Sequence, residues 1–197
     1  MKRALSITAC MFLLGLAATR VCIANLPASG GSVDGDERKP DVVAVDTNDL
    51  EVFSFDAGKI RFIASSEQTH GAYAVLELTE MPGYKTAWHQ HNTCEEAFYV
   101  LEGVLTIKML DKNYTFPAGS YVLIPRGTPH GQGNFGDKPL RLLTTFTPGG
   151  FDHFFRDRVE LYKTIKPGDP AFAKRFDELR AKHKQFVQIL GKWEPGK

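Results

Sequence analysis

Between residues 42 and 146 the chain is a succession of short runs rich in β-branched and aromatic residues, each closed by residues that favour turns. The runs are VVAV (42–45), LEVFSF (50–55), KIRFIA (59–64), AYAVLEL (72–78), EAFYVLE (96–102), VLTIKML (104–110), YTF (114–116), YVLIP (121–125) and LRLLTTF (140–146). AGK, MPG, DKN, PAGS and PRGTP interrupt them. A spacing of about 8–12 residues predicts an all-β sandwich or barrel rather than alternating strand–helix units. No internal repeat is visible.

The character changes on both sides of this region. Met1-Lys2-Arg3 is a short basic stretch, Ala4 to Ala18 is almost wholly apolar, and Cys22 and Ala24 occupy the −3 and −1 places of a cleavage site. That layout predicts a secretory signal peptide over 1–24, and hence a secreted or periplasmic protein. The apolar run falls short of the roughly 20 residues a membrane-spanning helix needs, which disfavours a retained anchor. Ile7-Thr8-Ala9-Cys10 looks like a lipoprotein box, but apolar sequence continues past Cys10. Residues 25–40, NLPASGGSVDGDERKP, offer too little apolar area to offset the entropy of ordering and read as a flexible leader.

Cleavage after Ala24 would leave 21 basic against 23 acidic residues, a formal charge of −2, with Cys94 as the one remaining cysteine. No internal disulfide is then available. Neither the charge nor any lysine–arginine block suggests a nucleic-acid partner, and no membrane partner is expected once the signal is removed.

Beyond Thr147-Pro148-Gly149-Gly150, two helical segments are expected. FDHFFRDRVELYKTI has Asp152 placed as an N-cap, and after KPGDP Asp169 can cap with Pro170 in the first helical position. Phe172, Phe176, Leu179, Phe186 and Ile189-Leu190 then fall near i, i+4, i+7 spacing, an apolar stripe on a helix that Gly191 can end. The stripe suits packing on the barrel or on a second subunit, with a mobile lid as the other use. The expected organisation is thus a β-barrel over 41–150 and a helical extension over 151–197.

Chemistry concentrates in WHQHNTCEEAFYVLEG, residues 88–103. Side chains alternate along a strand, so His89 and His91 share a face, where two imidazoles can donate to one metal ion. Asn92-Thr93-Cys94 makes a bend, and Glu95-Glu96 opens the next strand. If Glu96 faces inward, so do Phe98 and Val100, while Ala97, Tyr99 and Leu101 face out. A buried carboxylate needs something to offset its desolvation, and a divalent cation does so. Later, His130 follows the turn Pro125-Arg126-Gly127-Thr128-Pro129, well placed to aim inward as a third imidazole.

These two segments resemble the paired signature motifs of the cupin superfamily. The first reads Gly83, YKTAW, His89, Gln90, His91, NTCE, Glu96, AFYVLE, Gly103; the second reads Gly119, SYVLI, Pro125, Arg126, Gly127, TP, His130, GQG, Asn134. Every signature position is filled, and the six-residue count to Gly103 selects Glu96 over Glu95. A wider similarity, from about Phe62 to Arg156, is to single-domain cupins grouped with bacterial quercetin 2,3-dioxygenases, carried by HGAYAVLELTEMPG and TPGGFDHFF.

The resemblance implies an all-β double-stranded β-helix, a small jelly-roll barrel, with the C-terminal helical extension appended. It also implies a centre of His89, His91, Glu96 and His130 around one divalent transition metal: Fe, Mn, Ni, Cu or Zn. The implied activity is that of a metal-dependent oxygenase acting on a flavonol or another small phenolic or enolisable substrate, with Glu96 as both ligand and catalytic base. An isomerase, lyase or decarboxylase acting on a sugar or organic acid, and a non-catalytic binding protein, use the same centre. Lys85 or Arg126 in the pocket would favour an anionic substrate. Glu95 is expected in solvent or supporting a ligand histidine, Cys94 buried in the bend, and Tyr84 and Trp88 either lining the pocket or packing. Structural roles are expected for His70, His153, His183 and Asn134, and an exposed turn for Arg126. Cupins of this size often dimerise, so a homodimer through the 42–55 strands or the Phe-rich tail is a further expectation.

Overall fold

The computed structural model describes residues 42–193, so the expected signal peptide (1–24) and flexible leader (25–40) lie outside the described residues. Eleven strands and two helices follow one another. They are β1 (Phe53–Phe55), β2 (Gly58–Ala64), β3 (Ala74–Glu80), β4 (Trp88–His91), β5 (Glu95–Glu102), β6 (Val104–Met109), β7 (Lys112–Pro117), β8 (Tyr121–Ile124), β9 (His130–Gly133), β10 (Leu140–Thr147), α1 (Asp152–Thr164), α2 (Phe172–Lys182) and β11 (Val187–Gly191). The strands form two antiparallel sheets, one ordered β1-β2-β3-β10-β5-β8 and the other β11-β4-β9-β6-β7. The spacing of the runs predicts a sandwich or barrel and the motif resemblance a jelly roll, and the two sheets form that jelly roll.

Alternation decides what each strand buries. Along β10, Leu140, Leu142, Thr144 and Phe146 are wholly buried while the residues between them are partly exposed. In β5 the inward set is Glu96, Phe98 and Val100, with Glu95, Tyr99 and Leu101 in solvent. These faces meet Leu76, Leu105 and Ile107 in one continuous core. Each Leu, Ile, Val or Phe among them that is removed from water stabilises the barrel by about 1.5–3 kcal/mol. Gly103, which joins β5 to β6, has φ +81°, and a Cβ there would stand 2.7 Å from the Pro139 carbonyl oxygen. No other residue type fits both constraints without movement.

Four details depart from the sequence reading, the smallest being that α2 begins at Phe172 behind Ala171 rather than at Asp169 and Pro170. VVAV (42–45) is not a strand; Val42 is exposed and the segment has no ladder to join. Asp152 begins α1 but does not cap it. Its buried carboxylate instead accepts from the Gly150 and Ser66 amides at 3.2 and 3.1 Å, tying the start of the helix to the β2–β3 loop.

The last departure is at the C-terminus, where the apolar stripe does not continue as one helix. α2 carries Phe172, Phe176 and Leu179 and stops at Lys182, after which Val187–Gly191 forms β11. Val187 pairs with His91 and Ile189 with His89. The open edge of β4 offers unpaired N–H and C=O groups, and β-branched Val187 and Ile189 suit a ladder as well as a helix, so tertiary pairing wins. Trp193 then lies on the barrel: its Nε1 donates to the Thr86 carbonyl at 2.9 Å, and its ring fills the space that a Cβ on Gly131 would need.

Candidate metal centre

β4 and β9 are neighbours in the five-stranded sheet, and the register sets His89 opposite His130. Two residues along β4, His91 takes the same face. From the other sheet, inward parity on β5 delivers Glu96 to the same point. The three imidazoles and the carboxylate are all buried, and one ligand atom of each lies within 4.8 Å of every other. All four residues expected from the sequence are therefore brought together, from three strands of two sheets.

Orientation of the rings follows from hydrogen bonds behind them. His89 Nδ1 lies 2.8 Å from the Ala87 carbonyl oxygen and His130 Nδ1 lies 2.9 Å from that of Thr128. A carbonyl can only accept, so each Nδ1 carries a proton, and Nε2 is the ring nitrogen that faces inward, where it would bind an ion once free of its own proton. Glu96 Oε2 stands 2.9 Å from His130 Nε2 and 3.1 Å from His91 Nε2. The His91 ring is held by Phe151 and Phe146, with centroids 4.6 and 5.6 Å away, and its Nδ1 has no hydrogen-bond partner.

The electrostatics match this geometry. Burial pushes the Glu96 carboxyl up, but the His91 and His130 imidazoles beside it more than offset that and hold it below its ordinary value. Burial, with the neighbouring His130 and His91, lowers His89 to about 3, so it is neutral at ordinary pH. A buried, ionised carboxylate facing inward-turned imidazole nitrogens fits a divalent transition ion better than calcium or magnesium, which prefer oxygen ligands. The group could hold a metal.

Above it lies a cavity of about 350 Å³, at the lower end of the range of roughly 300–1,000 Å³ for small-molecule sites. Its walls come partly from the barrel (Leu78, Tyr84, Gln132) and partly from the C-terminal extension (Phe151, Phe155, Arg158). The extension is thus a wall of the pocket as well as packing. At the cavity's edge Gln132 Nε2 donates to Glu80 Oε1 at 2.7 Å, while Glu80 Oε2 and Gln132 Oε1 have no partner. Burial is the main cause that pushes the Glu80 carboxyl up to about 8. Both residues were legible: Gln132 follows His130 by two along β9, and Glu80 continues the inward parity of Leu76 and Leu78.

The remaining candidates separate clearly. Tyr84 is buried and lines the cavity, whereas Trp88 is half-buried beneath the Lys108 ammonium, 5.7 Å from its ring centroid. Lys85 lines the cavity and its Nζ donates to the Trp193 carbonyl at 3.3 Å, and Arg126 is exposed in its turn. Cys94 is a buried free thiol pushed up to about 12, chiefly by burial, and it is not among the four residues whose ligand atoms converge. Glu95 is in solvent. Asn134 Nδ2 donates to the Glu80 and Lys138 carbonyls at 2.8 Å each, a turn-stabilising role. His183 is buried against Asp157 at 2.7 Å, His153 pairs with Glu67 at the surface, and His70 lies in the turn before β3.

Residues 76–146 match the Cupin domain family. An uncharacterized protein of Methanocaldococcus jannaschii is 36% identical over 66 residues, covering 34% of this chain and 53% of its own length. Quercetin 2,3-dioxygenase of Bacillus subtilis is 28% identical over 120 residues, 60% of this chain and 35% of that protein. The chain therefore spans about half of the first relative and about a third of the second. Among solved structures, a predicted oxalate decarboxylase of Thermotoga maritima superposes with TM-score 0.51 at 18% identity, covering 53% of this chain and 98% of that one. That likeness speaks to the fold alone.

Proposed function

The chain belongs to the cupin superfamily, and from that premise we propose that it is a metal-dependent oxygenase, similar to quercetin 2,3-dioxygenase, acting on a small phenolic or enolisable substrate. The observation that carries this reading is the buried His/Glu group at the base of an aromatic-walled cavity. Extent of similarity adds support, since the match to the dioxygenase continues well beyond the two motifs. The basic and apolar N-terminal sequence supports export.

His89, His91, Glu96 and His130 would hold the ion. A bound divalent metal lowers the pKa of a coordinated hydroxyl and polarises the attached carbon framework. Glu96, held ionised, is the group positioned to accept the substrate's hydroxyl proton at Oε2, within reach of His91 and His130. Phe151 and Phe155 supply faces for a flat ring and keep water from it. Residues of the C-terminal extension therefore orient the substrate while residues of the barrel handle its proton.

The test is anaerobic mixing of metal-loaded protein with quercetin and simpler catechols, followed by air, with dioxygen uptake recorded. Uptake that depends on the metal and on the phenol supports the proposal. No uptake with Fe, Mn, Ni, Cu or Zn would sink it, and release of carbon dioxide from an organic acid under nitrogen would redirect it to a decarboxylase.

A further inference from the structure

The cavity contains a second charged group, and it comes from outside the barrel. Arg158 lies on the cavity side of α1, seven residues after Phe151 and in step with Phe155 and Tyr162. Phe151 packs directly on His91. At a rise of 1.5 Å per residue, about 10 Å of helix axis separates that contact from the backbone of Arg158. The guanidinium and the His/Glu group thus belong to one cavity but to different parts of it.

Arg158 is met mainly by neutral partners, the Tyr84 and Tyr162 hydroxyls accepting hydrogen bonds from its guanidinium. Its side chain is 11% exposed, its Nε is buried without a hydrogen-bond partner, and its ion pair is with Asp56 at 4.0 Å, a carboxylate 57% exposed. The Phe55, Phe176 and Tyr162 rings surround the guanidinium with centroids 4.3, 5.6 and 5.8 Å away, and the Tyr84 and Tyr162 hydroxyls stand beside it. Ring faces and hydroxyl acceptors recover part of the desolvation cost, but the one charged partner is a solvated carboxylate at the limit of contact, which adds little.

We infer that Arg158 receives a carboxylate of the substrate, so that the pocket selects a small phenolic or enolisable acid with its oxygen at the His/Glu end and its carboxylate at the α1 end. A guanidinium fork matches two coplanar oxygens, and the flanking tyrosine hydroxyls can donate to the same group. The inference rests on the proposed function only in assigning the substrate's other end to the metal centre. Arg158 is a specificity residue supplied by the C-terminal extension, which makes that extension part of the recognition machinery.

Binding without turnover tests it. Zinc-loaded protein is titrated calorimetrically under nitrogen with caffeate and with its methyl ester, which keeps the catechol and removes the charge. Wild type is expected to prefer caffeate by about tenfold or more, as expected for a desolvated charge pair. Arg158→Met should bring the two ligands within about threefold, chiefly by weakening caffeate, and Arg158→Lys should restore part of the preference. Equal wild-type affinities, no binding of either ligand at millimolar concentration, or an undiminished preference in Arg158→Met would overturn the inference. Should Arg158→Met not fold, Arg158→Gln replaces it, and the wild-type comparison stands without any variant. A retained preference with no dioxygen uptake removes the oxygenase reading and leaves this one in place.

Discussion

Glu80→Gln is expected to stabilise the metal-free protein, by an amount that grows with pH. Glu80 is 1% exposed and its carboxyl is raised from 4.5 to about 8, by burial first and by the Glu96 charge, against the opposing Gln132 hydrogen bond and the Arg158 charge. Between those two pH values the native state keeps a proton that the unfolded chain has released. Stability therefore falls as pH rises through this window, by about 1.4 kcal/mol per pH unit, and levels off once the native carboxyl ionises. At pH 7 the accumulated cost is at most about 3 kcal/mol, and Gln does not incur it. The variant also satisfies its neighbour. A protonated carboxyl or an amide can donate to Gln132 Oε1, which an ionised carboxylate cannot, and Gln132 Nε2 keeps its acceptor at 2.7 Å. Urea unfolding of chelator-treated wild type and Glu80→Gln from pH 4.5 to 8.5 measures the effect. The curves should coincide near pH 4.5 and diverge in favour of the variant. A pH-independent difference, or a variant less stable at pH 8, would refute the claim that Glu80 is buried in its neutral form.

His130→Ala should lose stoichiometric metal by elemental analysis while its circular dichroism stays that of a folded barrel, because Phe98, Leu142 and Ile107 carry the core. Glu96→Gln should retain much of the metal through His89, His91 and His130 but lose turnover by about 100-fold or more, the usual worth of a positioned base; normal dioxygen uptake would remove Glu96 from proton transfer. Trp193→Ala deletes a 3% exposed ring and its hydrogen bond to the Thr86 carbonyl, and should cost about 3–5 kcal/mol in urea unfolding. A loss within about 0.5 kcal/mol, the level of an ordinary surface substitution, would show that Trp193 does not fasten the C-terminal segment.

Where the sequence was readable, parity made it so. Once β4 and β5 are strands, two-residue alternation puts His89 and His91 on one face and groups Glu96 with Phe98 and Val100 against Glu95 and Tyr99, while the motif resemblance, through the count to Gly103, selects Glu96 and adds His130. The same rule reaches Glu80 and Gln132, whose polar side chains interrupt otherwise inward positions. It does not reach the tail. Val187 and Ile189 fit helical spacing and strand alternation equally, and the choice is made by the unpaired edge of β4, a feature known only after the barrel has closed.

Arg158 was hidden for a related reason. In isolation FDHFFRDRVELYKTI is an amphipathic helix with Phe151, Phe155 and Tyr162 on one face, and an arginine among them reads only as a charge interrupting that face. What converts it into a pocket residue is the docking of α1: Phe151 against His91, Phe155 against Phe146, and the Asp152 carboxylate fixed by the Ser66 amide. Those contacts span the chain from residue 66 to residue 155, and each is satisfied only in the assembled fold. The barrel therefore determines which atoms can hold an ion, while the segment after it determines what can lie beside that ion. A cupin barrel with the same four inward residues but a different C-terminal extension would keep the first property and lose the second, which is why Arg158, rather than any residue of the two motifs, is the position to vary when asking what this protein binds.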